Sequence, residues 1–158
     1  MNDNLRRLLG KYRKKGLLID TNLLVLYIVG SLDIELIRDF SRTSQFTIDD
    51  FYLLSDFSDL FDLKITTPHI LTEASNLIGK SRNLRGLLKI YISNADEKFL
   101  ESSKVTENDD FIDFGLTDTA IINVSQNSCL VLTDDRPLYG FLINKGIDTV
   151  SLDELRLI

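Results

Sequence analysis

The chain reads as an α/β protein: a central parallel sheet with helices on both faces, three layers in all, with an added basic helix in front. Three observations predict this. Short, wholly apolar runs of strand length recur along the 158 residues, as strands buried on both faces require. Amphipathic helical stretches separate them, which calls for parallel strands joined by crossovers. Two of the runs end in acids, so carboxylates are expected at the carboxyl edge of the sheet, where ligands bind in this fold class.

The elements follow in order. Residues 4–15 carry Leu5, Leu8, Leu9 and Tyr12 at helical spacing, with Gly16 as the stop. Leu17–Asp20 is a buried strand with its carboxylate at the end. Thr21 or Asn22 is the expected cap of a helix over Leu23–Val29. Residues 31–62 form a helical insertion with two apolar stripes, one of Leu32, Leu36, Ile37 and Phe40, the other of Phe51, Leu53, Leu54, Phe57, Leu60 and Phe61. Ile65–Thr67 is a second strand, and Pro68 suits the start of a helix carrying Glu73, Ala74, Leu77 and Ile78. Residues 81–101 continue helical. Phe111–Phe114 is irregular or a short helix, and Leu116–Ser125 is a helix with Asp118 in its first turn. Cys129–Thr133 is a third strand, ending in Asp134 and Asp135. Leu138–Lys145 is a short helix closed by Gly146, and Thr149–Ser151 is a last strand.

Composition fits one domain over residues 1–158: 44% of residues are apolar and 27% charged, as in ordinary globular chains. One Cys, Cys129, excludes an internal disulfide. With one His, His69, it also excludes a Cys/His zinc site. The net charge of −6 argues against a general nucleic-acid coat. The first 16 residues nevertheless hold Arg6, Arg7, Lys11, Arg13, Lys14 and Lys15 against Asp3 alone, so a basic segment precedes an acidic body. This start imitates a secretory leader, but Asp20 and Asn22 interrupt its apolar run and no small-x-small site follows Gly30. The run is too short and polar to span a bilayer. The expectation is a cytoplasmic protein without a membrane partner.

Four acids occupy similar places: Asp20 after a strand, Glu73 on a helix after a strand, Asp118 at a helix start and Asp135 after a strand. Gathered at one edge they repel one another unless a cation joins them. A site of carboxylates, hydroxyls and an amide suits hard divalent ions, Mg²⁺ or Mn²⁺, one or two of which activate a water and stabilise the leaving oxygen of a phosphodiester.

At these residues the chain resembles the PIN-domain family of nucleases. The motifs are Ile19-Asp20-Thr21-Asn22, then Glu73 in Thr72-Glu73-Ala74, then Leu116-Thr117-Asp118-Thr119-Ala120-Ile121, then Leu132-Thr133-Asp134-Asp135-Arg136-Pro137-Leu138, in which Thr133-x-Asp135 fits the family's Thr-x-Asp. The likeness spans roughly residues 17–152. It implies metal-dependent endonucleolytic cleavage of RNA. Asp20, Glu73, Asp118 and Asp135 would hold the ions, Asn22 and Thr133 would orient them, and Asp134 would replace Asp135 if the register shifts by one. It also implies, for many small members, a toxin role with an antitoxin partner, and by analogy a homodimer. The basic helix and the 31–62 insertion depart from the compact toxin members.

Other residues carry weaker expectations. Arg82, Arg85 and Lys89 share one helix face and are candidate RNA-phosphate contacts, as is the basic N-terminal helix. His69 is expected to satisfy backbone groups at its helix start, Cys129 to act as a small hydrophobe, and Asp109, Asp110 and Asp113 to be loop acids. Two other functions compete. A non-catalytic PIN-like binding module would have no need of all four acids. A haloacid-dehalogenase-type phosphatase needs a second acid two residues after its nucleophile, where this chain has Asn22, which cannot exchange the proton.

Overall fold

The computed structural model describes residues 3–157. They form α1 (Asp3–Tyr12), β1 (Leu17–Ile19), α2 (Thr21–Leu32), α3 (Leu36–Asp39), α4 (Ile48–Asp59), β2 (Lys64–Thr66), α5 (Pro68–Ile78) and α6 (Arg82–Asn94), followed by β3 (Asp96–Glu97), α7 (Ser102–Val105), α8 (Phe111–Ser125), β4 (Leu130–Thr133), α9 (Arg136–Asn144), β5 (Thr149–Ser151) and α10 (Leu152–Leu155). The strands make one parallel sheet in the order β3-β2-β1-β4-β5. The expected α/β class with helices about a parallel sheet is therefore the observed one.

The centre of the sheet is dry. Leu17, Leu18 and Ile19 pair in register with Leu130, Val131 and Leu132, and all six are essentially without solvent contact. The chain winds outward from β1 to β2 and β3, then returns to place β4 on the other side of β1. The direction of winding thus reverses between β1 and β4, and a crevice opens at the carboxyl ends of such a pair. Helix α2 begins there and is buried almost all round, against α4, α5 and α6. Its Gly30 is a true close approach: a Cβ at that position would stand 2.3 Å from the Phe51 ring on α4.

Several elements differ from the sequence reading. Asp20 itself caps α2, its Oδ1 accepting from the Leu23 N–H at 3.2 Å, while the expected caps Thr21 and Asn22 lie in the first helical turn. That helix runs on to Leu32, which is exposed and leaves the expected stripe. The 31–62 stretch holds the short α3 and the longer α4. Between them the buried Thr43 hydroxyl donates to the Ile37 carbonyl at 2.8 Å. In the second stripe Phe51, Leu54, Phe57 and Phe61 are buried, whereas Leu60 is exposed. Residues 81–101 are not helical throughout: α6 ends at Asn94 and the two-residue β3 adds to the edge of the sheet beside Ile65 and Thr66. Its residues are both acids, so no apolar run announces it. Helix α8 includes Phe111–Phe114 and bends at Gly115, which takes φ 77°.

The basic helix α1 closes the opposite edge of the sheet. Its Leu5, Leu8 and Tyr12 are buried. Lys11 Nζ and Tyr12 Oη donate to Asp148 Oδ2 at 2.7 and 2.9 Å, just before β5. Lys15 reaches the Asn127 carbonyl before β4, and the Asp62 N–H donates to the Arg13 carbonyl before β2. Among the described residues no helix is long and apolar enough to cross a membrane.

Asp50 on α4 joins the insertion to the end of the chain. Its carboxylate caps α4 with Thr47 and accepts two bonds from Arg156, at 2.8 and 2.9 Å. Burial alone would raise the Asp50 carboxyl, but the Arg156 and Thr47 bonds outweigh it and hold it below the ordinary value. Such a group adds stability above the unfolded carboxylate value near 3.9 and loses it as pH falls through the lower folded value. Asp50→Asn should therefore cost on the order of 1–2 kcal/mol at neutral pH, the exposed half of Arg156 moderating the loss. The difference from wild type should shrink as melts are taken from pH 6 toward pH 3.

Candidate active site

The crevice between β1 and β4 is built around Asp20. It is 5% exposed, and its backbone N–H donates to the Leu132 carbonyl at 3.0 Å, continuing the β1–β4 ladder by one residue. One carboxylate oxygen caps α2. The other accepts from the Thr133 hydroxyl and, at 3.3 Å, from the Asp134 N–H. Thr133 is wholly buried, and its hydroxyl also accepts from the Asp135 N–H at 2.9 Å. One threonine thus ties the end of β1 to the turn after β4. Asp135 then caps α9, accepting from the Leu138 N–H at 2.8 Å.

Glu73 and Asp118 arrive from α5 and α8. Glu73 is exposed, and one of its oxygens accepts from the Thr21 hydroxyl at 3.4 Å. Asp118 sits in the first turn after the Gly115 bend, and both Asp135 and Glu73 repel its charge. Asp134, the sequence reading's substitute for Asp135, is a further member rather than an alternative. It faces both Asp20 and Asp135, Asn22 lies close enough to lower its carboxyl, and its Oδ1 is buried without a partner. Five carboxylates therefore stand in electrostatic sequence: Asp20, Asp134, Asp135, Asp118, Glu73.

The pKa values record the strain of this arrangement. Burial, with the facing charge of Asp134, pushes Asp20 up to about 8 against the pull of its three donors. Burial, with Asp135 and Glu73, pushes Asp118 up to about 6. Asp134 is raised too, by burial and then Asp135, while Asn22 and Arg156 oppose the rise.

As the side chains stand, no three of the described His, Cys, Asp or Glu residues close into a ligand shell. Asp20 and Asp135 each commit an oxygen to a helix cap, which holds the acids as repelling pairs. The donor set still fits a hard divalent ion: it is all oxygen, it holds an orphaned buried carboxylate oxygen, and it carries more negative charge than its surroundings neutralise.

The weaker candidates divide. Arg82, Arg85 and Lys89 are exposed on α6 with no ion pair and no contact to the acids among the described residues. The cations of α1 lie at the far edge of the sheet. His69 does not satisfy backbone groups as expected; its Nδ1 is buried and unpartnered, because the Thr67 hydroxyl already caps α5. Cys129 is buried, and burial raises its thiol to about 11. Asp109 and Asp113 are exposed on the approach to α8 and in its first turn.

The sequence reading missed a cleft of about 510 Å³ beside the acids, at the carboxyl ends of β4 and β5. It is lined by Asp134 and Asp135, by Arg136 and Tyr139 of α9, by Gln45 and Phe46, and by residues 151–153 and Arg156. Only the Arg-x-x-Tyr spacing after Asp135 hinted at it. Comparison with protein-family models and with curated proteins finds no match for this chain.

Asp118 gives the site a measurable signature. Its folded value lies above the ordinary carboxylate value, so it leaves stability intact below about pH 4 and destabilises as pH rises through about 6. In the absence of divalent ions, Asp118→Asn should melt above wild type at pH 7.5, by up to about 2 kcal/mol. That advantage should be gone at pH 4, as thermal melts across the range would show.

Proposed function

We propose that the protein is a metal-dependent endoribonuclease of the PIN type. One observation carries this reading: Asp20, Asp134 and Asp135 stand at the reversal point of the sheet, Asp118 and Glu73 add their charge beside them, and a buried Asp134 oxygen has no hydrogen-bond partner. A structural role explains the caps made by Asp20 and Asp135. It does not explain why Asp134 faces Asp20 and Asp118 faces Asp135.

Asp20, Glu73, Asp118, Asp135 and the neighbouring Asp134 would hold Mg²⁺ or Mn²⁺. The bound ion supplies a nucleophilic water near neutral pH and charge stabilisation for the phosphodiester. The chain's own residues do the rest. Thr133 and the Asp134 N–H fix the rotamer of Asp20, so a carboxylate is presented without reorganisation. Asn22 steadies Asp134. The raised values of Asp20 and Asp118 mean that both must lose protons before a cation binds, so activity should climb with pH from 6 to 8. Substrate is proposed to be RNA, through the resemblance of the four motifs.

The test is cleavage of a mixed-sequence single-stranded RNA by wild type, Asp20→Asn and Asp118→Asn with Mn²⁺, with Mg²⁺ and with EDTA. Wild type should cleave with Mn²⁺ and stop in EDTA. Each variant should lose at least about 100-fold in rate with unchanged circular dichroism. Mn²⁺ should also raise the wild-type melting temperature more than that of Asp20→Asn. Folded wild type that neither cleaves RNA nor responds to Mn²⁺ would overturn the reading.

A further inference from the structure

The cleft beside the acids has the size and fittings of a nucleotide site. Its volume of about 510 Å³ falls in the range of small-ligand pockets. Arg136 and Tyr139 line it from consecutive turns of α9, three residues apart and on one helix face. Their roles differ from that of the cleft's other cation. Arg156 is fully engaged, by Asp50 through two nitrogens and by Asp153 through a third. Arg136 is anchored by one nitrogen only, to Asp153 at 3.1 Å, and its side chain is 85% exposed. Its remaining donors are open. Tyr139 is half-buried on the same helix face, and burial, then the charge of Glu154, raises its phenol. Its ring gives the cleft a flat aromatic surface. Gln45 and Ser151 add polar groups able to read a base edge.

We propose that this cleft seats the nucleotide adjoining the scissile phosphate, with Arg136 holding a phosphate oxygen and the base lying on the Tyr139 ring. The assignment rests on the nuclease reading of the neighbouring acids. It has a charge consequence. Asp134, Asp135 and Asp153 on the wall outnumber Arg136 and Arg156, so the empty cleft repels an anion. A divalent cation at the acids reverses the balance, and nucleotide binding should require one.

The test is isothermal titration of the full chain with adenosine and uridine 5′-monophosphates, in Mg²⁺ and in EDTA, followed by RNA cleavage on the same samples. Wild type should bind in Mg²⁺ and not in EDTA. Tyr139→Ala should weaken binding about tenfold or more, as loss of a stacked base does. Tyr139→Phe, which keeps the ring, should weaken it far less. Arg136→Gln should also weaken it about tenfold, and Lys104→Gln, an exposed cation outside the cleft, should leave it unchanged. Absence of binding in Mg²⁺, or equal binding by wild type, Tyr139→Ala and Arg136→Gln, overturns the proposal. Loss in one variant alone overturns the role given to the other residue. If wild type cleaves RNA and neither variant moves KM, the cleft fails and the nuclease reading stands. If nucleotide binding behaves as expected and RNA is never cut, the nuclease reading fails and the cleft stands. Arg136 pairs only at the surface, so its variant should keep the wild-type melting temperature.

Discussion

The structure turns on the Asp20 carboxylate. It stands where two central strands end side by side, in a place almost without water, and both its oxygens accept bonds from the fold. One oxygen closes the first turn of α2, while the other holds the buried Thr133 hydroxyl and the backbone after it. These bonds fix how α2 leaves β1, and how β4 turns into α9. They set the crevice between the halves of the sheet before any other acid is considered. A neutral asparagine could serve the cap at less desolvation cost, since burying a charge is expensive unless it is matched. What an asparagine could not supply is a charge poised for a cation.

That charge is tolerated because the surrounding apolar structure is large. The three residues of β1 and their partners on β4 are buried, and α2 is apolar on nearly every side. Such packing over-determines the backbone and lets the chain keep groups that are unfavourable where they stand. The raised values of Asp20, Asp118 and Asp134 are the visible measure of that tolerance. Protein sites that work on charged ligands share this trade between local stability and readiness.

Much of this was legible in the sequence because it rests on short-range rules. Thr149–Ser151 and the Pro68 helix start fall where expected, since an apolar run between turn residues and a proline at a first helical position each have a local cause. The places of Asp20 and Asp135 at the carboxyl ends of β1 and β4 follow from the apolar runs before them, once the sheet is parallel. What failed was decided at a distance. Asp96 and Glu97 form a strand only because Ile65 and Thr66 offer a free edge. The turn after β4 gives the consecutive Asp134 and Asp135 different neighbours, one facing Asp20 and the other Asp118, which their sequence does not show. The cleft was hidden for the same reason: Gln45, Tyr139 and Arg156 are far apart in sequence and meet only when α4, α9 and α10 pack.

The partition of charge follows from the same parallel sheet. All five strands point one way, so every loop entering the sheet lies at one edge and every loop leaving it at the other. Helix α1 closes the entering edge, where Asp62 and Asp148 precede β2 and β5 and pair with its Arg13 and with its Lys11 and Arg7. Its cations therefore neutralise an edge that would otherwise repel itself, and its leucines cover the floor of the core. Among the described residues the acids after β1 and β4 have no ion pair of this kind, and Arg156, held by Asp50 and Asp153, only moderates Asp134. Two acidic edges, built by one topology, are thus treated in opposite ways: one is closed by a basic helix, and the other is left open beside a cleft. The open edge keeps its charge, and of the two guanidinium groups that line the cleft beside it Arg136 is the more exposed, 85% against 43% for Arg156.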